Sequence, residues 1–325
     1  MESSWWRKIF PALFELGEKM KSTNLKGTLI LVLVAMIWGM GFVAQDEASK
    51  HLGAFAFNAT RNLLATAFVL GLLWWRNHYP SPFAKPTTKL KLGAHWWPGF
   101  LIGAALFLGE TFQQIGIAAY PAGAAASGRA GFLTSTYVVF VAVIAWLVGR
   151  TRSWIVMVSV ATCLVGMYLL CVQHGLGHVY LADWLEIICA FMFTLHILVI
   201  DRYRGMDSLV LSAIQFATAS LLAALFAGGL HQFSWTDTVH ALVTILYAGI
   251  VSSGIGYTLQ VIGQQYAEPT SASIAMSLES VFAALAGWIL LNEVMNGREI
   301  MGGILVFAAV IIAQVPEFLK AKAEK

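Results

Sequence analysis

The sequence predicts an all-α integral membrane protein of ten transmembrane helices in two inverted five-helix repeats. Three observations predict it. Of the 325 residues, 58% are hydrophobic and only 11% are charged. Apolar runs of roughly 20 residues, the length that spans a bilayer as a helix, recur from end to end. One eight-residue pattern from the first half returns in the second. Spans and short connections consume nearly the whole chain, which leaves no room for a separate soluble domain of roughly 50 residues or more.

Residues 1–25 form the first element, a cytoplasmic amphipathic segment. Trp5, Trp6, Ile9, Phe10, Leu13 and Phe14 fall largely on one helical face, with Arg7, Lys8, Glu15, Glu18 and Lys19 mostly on the other, as in a helix lying in the membrane interface. Charge breaks its apolar run and no small-x-small cleavage site follows, so it does not read as a signal peptide. Ten spans follow, at residues 27–45, 53–75, 97–119, 123–148, 154–172, 180–200, 208–230, 239–263, 269–291 and 299–315. All eight prolines fall outside these spans or at their edges, where a missing N–H does least harm.

Orientation follows from the loops. Arg7, Lys8, Lys19, Lys21 and Lys26 precede the first span, and Arg76, Lys85, Lys89 and Lys91 follow the second. Arg150 with Arg152, Arg202 with Arg204, and Lys320, Lys322 and Lys325 continue the same side, against Lys50 and Arg298 opposite. The positive-inside bias therefore puts both termini in the cytoplasm, with an even number of spans between them.

Gly109-Glu-Thr-Phe-Gln-Gln-Ile-Gly116 matches Gly256-Tyr-Thr-Leu-Gln-Val-Ile-Gly263 at both glycines, at Gln113/Gln260 and at Ile115/Ile262. After each come a tyrosine, a proline, a small-residue run and an apolar helix. Two homologous halves account for this, at residues 26–172 and 173–316, with a cytoplasmic tail at 317–325. Each half holds five spans, an odd number, so the halves cross the membrane in opposite senses, a plan common among secondary transporters.

Four ionisable side chains sit well inside spans: Arg61, Glu110, Arg129 and Glu279. Counted from the outer helix ends at about 1.5 Å per residue, all four lie roughly 10–17 Å deep, near enough to touch. Their charges sum to zero, and a polar cluster in the outer half of the bundle is expected. An ionised group costs several kcal/mol in a bilayer core, so each faces a cavity or a partner. One reading gives Arg129 a substrate carboxylate, whose shape its planar fork matches, and gives Glu110 or Glu279 a proton or a substrate amine. The other pairs Arg61 with Glu110, or Arg129 with Glu279, to lock helices together. Arg129 and Glu110, which flank the small-residue junction, are assigned to substrate binding. Arg61 and Glu279 are assigned to proton carriage or helix pairing.

Gln113, Gln114, Gln260, Tyr137 and Trp38 complete the candidate substrate-binding set, with helix packing as the competing role for each. Thr134, Tyr257 and Ser277 offer further hydroxyls. His196, alone in the sixth span, is either a proton relay or a satisfied core residue. Gly99/Gly103, Gly123/Ser127/Gly131 and Ala283/Gly287 recur every fourth residue and let helices approach closely, while Gly249, Gly254 and Gly256 loosen the eighth span. Cys163, Cys171 and Cys189 all lie in apolar spans, with neither a disulfide nor a metal spacing. No cofactor, metal or catalytic residue is expected, and no nucleic-acid partner.

The chain also resembles the EamA family of the drug/metabolite transporter superfamily over roughly residues 26–315. The resemblance is carried by Ala35-Met-Ile-Trp-Gly-Met-Gly-Phe-Val43, Arg61-Asn-Leu-Leu, the stretch 109–139, and Leu278-Glu-Ser-Val-Phe-Ala-Ala-Leu through Asn292-Glu293. It departs at Glu279-Ser280, where the family usually shows Glu-Pro. The resemblance implies an EamA-like bundle of ten helices, cytoplasmic termini, a central cavity between the halves and export of small metabolites.

The expected function is a secondary transporter exporting a small organic metabolite, whether amino-acid-like, amine or organic acid, across a bacterial cytoplasmic (inner) membrane by alternating access. A passive channel is an alternative, though neither charge rings nor a carbonyl filter signature is present. An intramembrane lipid- or peptide-processing enzyme is another, without a His-Glu-x-x-His helix or a Gly-x-Ser-x-Gly elbow to support it. Without a phosphate-cradling loop ATP is not used directly, which leaves protons, exchange or facilitated diffusion. The expected partners are a small-molecule substrate and the lipid bilayer, and a homodimer is compatible with the sequence.

Overall fold

The structure, a computed structural model, describes residues 23–78, 92–121, 126–149, 153–172, 179–291 and 297–323. Most of the expected amphipathic segment (1–22), the basic loop with Lys85, Lys89 and Lys91, Arg150, Arg152, Gly123, Asn292, Glu293 and Lys325 lie outside the described residues.

Every regular element among the described residues is a helix: α1 Thr23–Gly39, α2 Gly41–Ser49, α3 Ala54–His78, α4 Leu92–Ala119, α5 Ala126–Ser135, α6 Tyr137–Leu147, α7 Trp154–Cys171, α8 Leu181–Arg202 and α9 Ser208–Gly229. There follow α10 Trp235–His240, α11 Leu242–Leu246, a π-helix Tyr247–Tyr257, α12 Thr258–Gly263, α13 Pro269–Met276, α14 Glu279–Leu291 and α15 Gly297–Ala323. In hydrocarbon only such internally bonded backbone is tolerated. Among the described residues, seven stretches are long and apolar enough to cross a membrane: Leu25–Ser49, Ala54–His78, Gly93–Ala119, Arg129–Leu147, Leu181–Arg202, Ser208–Gly229 and Leu242–Gly263. Trp154–Leu170 and Ile300–Ala313 are apolar but shorter. Large apolar side chains such as Leu29, Trp74, Trp154, Leu225 and Ile311 point outward, where lipid rather than water would meet them. The protein is a multi-pass membrane protein.

Pro98 lies inside α4 and Pro316 inside α15. Both helices run on beyond their apolar stretch, so a span edge is helix interior, and each proline forfeits one helical N–H bond there.

Three of these stretches, and the run from α13 to α14, are interrupted, and the interruptions surround one region. α1 and α2 are separated at Met40, α5 and α6 at Thr136, and α13 and α14 at Ser277 and Leu278, while the π-helix sits between α11 and α12. The side chains explain part of this. Ser273, Ser277 and Ser280 each donate a hydroxyl to the carbonyl three residues back, at 2.9, 2.7 and 2.7 Å. Thr136 does the same to Leu133. Such local bonds compete with the helical ladder and bend it. In the π-helix, Gly256 lies so close to Trp38 that a Cβ there would be 2.7 Å from the indole nitrogen. Instead Trp38 Nε1 donates to the Ser252 carbonyl at 3.2 Å.

Helix pairs close on small residues elsewhere. α4 meets α9 where Gly99 faces Ile214 and Gly103 faces the Gln215 backbone. α7 meets α15 with Gly166 and Gly302 in backbone contact. Without a hydrophobic force between helices in lipid, this closeness supplies the dispersion contact that holds them.

Candidate functional site

The four interruptions face an internal cavity of about 30 Å³, room for roughly two ordered waters. Its polar wall is Gln45, Arg61, Gln113, Thr134, Ser252, Gln260 and Glu279. Its apolar wall includes the rings of Trp38, Phe42, Tyr137, Phe193 and Tyr257. Trp38 and Tyr257 contact each other with ring centroids 4.6 Å apart.

Arg61, projecting from α3, is 2% exposed and engaged on every side. Its Nη2 lies 2.9 Å from Glu110 Oε1, its Nε donates to Ser253 Oγ at 3.1 Å, and its Nη1 reaches Gln45 Oε1 at 3.5 Å. Asn62, one residue on, donates to the other Glu110 oxygen at 2.6 Å. Glu110 is therefore a fully buried counterion behind the wall rather than part of it. This is one of the two helix-locking pairs that the sequence left open.

Glu279, the first residue of α14, lines the cavity and accepts the hydroxyls of Ser135 and Tyr137 at 3.1 and 3.2 Å. Arg129 does not reach it. Arg129 forks onto Asp183 instead, with Nε to Oδ1 at 3.1 Å and Nη2 to Oδ2 at 2.6 Å, and its guanidinium lies 4.9 Å over the Tyr180 ring. Tyr120 adds its hydroxyl to Asp183 at 2.8 Å. The cluster joins the end of α4 to α5 and the start of α8, and Arg129 is absent from the cavity wall. Arg129→Ala is expected to lower the melting temperature of the detergent-solubilised chain by the equivalent of about 1–3 kcal/mol, the cost of a buried group left without its partner. Adding Asp183→Asn should recover more than half of that loss. No recovery would mean that Arg129 acts through some other contact.

Among the described residues, two acids beyond the four charges counted from the sequence lie buried beside this region. Asp183 and Glu186, in the first turns of α8, are 5% and 0% exposed. Glu186 Oε2 takes the Thr134 hydroxyl at 2.8 Å, while its Oε1 has no hydrogen-bond partner. Both were visible as acids three apart in an apolar span, but their nearness to the span start disguised their burial. With Glu110 and Glu279 they make four acids around the site among the described residues, against Arg61 and Arg129.

The repeat-equivalent Gln113 and Gln260 both line the cavity, as do Trp38 and Tyr137. Gln113 donates to Thr134 at 3.4 Å. Gln114 lies outside the wall and donates to the Gln45 carbonyl at 3.0 Å, holding α2 to α4. His196, fully buried, shares a hydrogen bond with Gln215 at 3.1 Å and stands edge-on to Tyr257, behind the wall.

A model of the EamA-like transporter family matches the chain twice, over residues 25–172 and 180–314. The chain belongs to the EamA-like transporter family. Similar to this EamA-like protein is one from Archaeoglobus fulgidus named an uncharacterized transporter, 32% identical over 297 residues, which cover 90% of this chain and 87% of that one. A second protein of that organism, bearing the same name, is 25% identical over 298 residues, 89% of this chain and 97% of its own. A solved crystal structure, named only as that of a protein, shares the fold with a TM-score of 0.74 and 15% identity, covering 90% of this chain and 97% of its own. The cavity of this EamA-like transporter draws its wall equally from the two matched segments.

Proposed function

We propose that the chain is a secondary transporter exporting a small organic metabolite across the cytoplasmic membrane by alternating access. What carries the reading is the cavity, polar and aromatic, built equally from both halves of a transporter-family chain. The shorter apolar helices and the divided α13–α14 stretch cross the membrane with the other seven, giving ten spans, inverted halves and two cytoplasmic termini. Trp38, Gln113, Tyr137 and Gln260 contact the solute, while the Arg61–Glu110 pair and Gln114 hold the wall in place.

The present volume of about 30 Å³ is too small for an organic solute, since ligand pockets run to roughly 300–1,000 Å³. Solute must enter as the halves move apart. The divided helices are suited to that motion, because a break in the helical ladder concentrates bending at a few residues.

The test is counterflow in proteoliposomes. Uptake of a labelled solute should saturate and should accelerate when unlabelled solute is loaded inside. Flux that neither saturates nor responds to the trans side would make the protein a channel and sink the proposal.

A further inference from the structure

Resting on the carrier reading, we infer that the cavity takes an organic ammonium cation, seated against Glu279 and Gln260 among the rings of Trp38, Tyr137 and Tyr257. The distribution of charge carries this. Arg61 is committed to Glu110, and Arg129 to Asp183. Two carboxyl groups remain, Glu186 and Glu279, and neither has a cationic partner among the described residues. Glu279 is the one on the wall. Its carboxyl group is met only by the two hydroxyls of Ser135 and Tyr137.

A second atom points the same way. Gln260 is 1% exposed and lines the same cavity, yet its Oε1 accepts no hydrogen bond. A buried acceptor left unmet costs about 1–3 kcal/mol, and a guest bearing N–H donors would satisfy it. The guest's positive charge would at the same time neutralise Glu279. The rings of Trp38, Tyr137 and Tyr257 line the same cavity, and a cation within about 6 Å of such a face gains further attraction.

A carboxylate guest fares worse. It would face Glu279 without a free cation, and it would have to draw Arg61 away from Glu110, leaving a buried acid unpaired. This reverses the anion-binding role that the sequence reading gave to Arg129, whose fork is already filled by Asp183.

The experiment compares three solutes that share one ring and differ in charge: phenethylammonium, phenylalanine and phenylacetate. Binding to the full chain in detergent micelles is measured by calorimetry. The expected result is that phenethylammonium binds and phenylacetate does not, that Glu279→Gln weakens phenethylammonium at least tenfold, and that Glu279→Asp retains part of the affinity. Unchanged melting of both variants separates this from unfolding. Phenylacetate binding as well as or better than phenethylammonium, with no effect of Glu279→Gln, would overturn the inference and leave the carrier reading standing. Binding by none of the three would also overturn it, and counterflow decides the carrier reading separately.

Discussion

Replacing Arg61 with methionine is expected to cost about 3–5 kcal/mol, the range found when one partner of a buried ion pair is removed. The pair is buried at both ends, at 2% and 0% side-chain exposure, so no solvent softens the loss. Methionine keeps the volume of the arginine stem, which confines the change to charge and hydrogen bonds. Glu110 would retain only the Asn62 amide, and Ser253 and Gln45 would lose their donor. Adding Glu110→Gln should return most of the stability, because an uncharged amide leaves no bare ion behind. The measurement is thermal melting of the detergent-solubilised chain, with the yield of monodisperse protein beside it. Native-like melting of the single variant would show that the pair does not hold α3 to α4.

The second large effect is expected at Gly302, where α15 crosses α7. A Cβ there would lie 2.6 Å from both the Gly166 carbonyl oxygen and the Leu170 amide nitrogen. Both are backbone atoms, so the helices themselves must separate. Gly302→Ala should cost about 1–3 kcal/mol, as overpacking does, and Gly302→Leu should prevent assembly. Gly303 is the internal control, since a Cβ at that position finds its nearest atom, in Val281, at 3.6 Å. Gly303→Ala should melt like the parent. Equal melting of the two alanine variants would contradict the helix crossing.

Much of the helical architecture was legible because a bilayer leaves few choices: apolar runs of the right length become helices. The interruptions were not legible. Nothing in hydropathy distinguishes α from π hydrogen bonding, and serine back-bonds such as Ser277 to Ile274 depend on rotamers that composition does not record. At the site, spacing brought Arg61, Glu110 and Glu279 to one neighbourhood and matched Gln113 with Gln260. Pairing was another matter. Whether Arg129 meets Glu279 or Asp183 depends on the relative rotation of α5 and α8, which one sequence does not encode locally. The burial of Asp183 and Glu186 is not legible in the sequence, because acids near a span start ordinarily reach water, whereas here α4 and α5 cover them through Tyr120, Gly116, Arg129 and Thr134.

The central claim is that the cavity between the halves opens to each side of the membrane in turn. Gln113→Cys and Gln260→Cys, each made in a chain carrying Cys163→Ala, Cys171→Ala and Cys189→Ala, test it most directly with a membrane-impermeant thiosulfonate. The account predicts that both positions react from the outside in sealed cells and from the inside in inverted vesicles. Reaction from one face only, or from neither, in variants that still transport would contradict it.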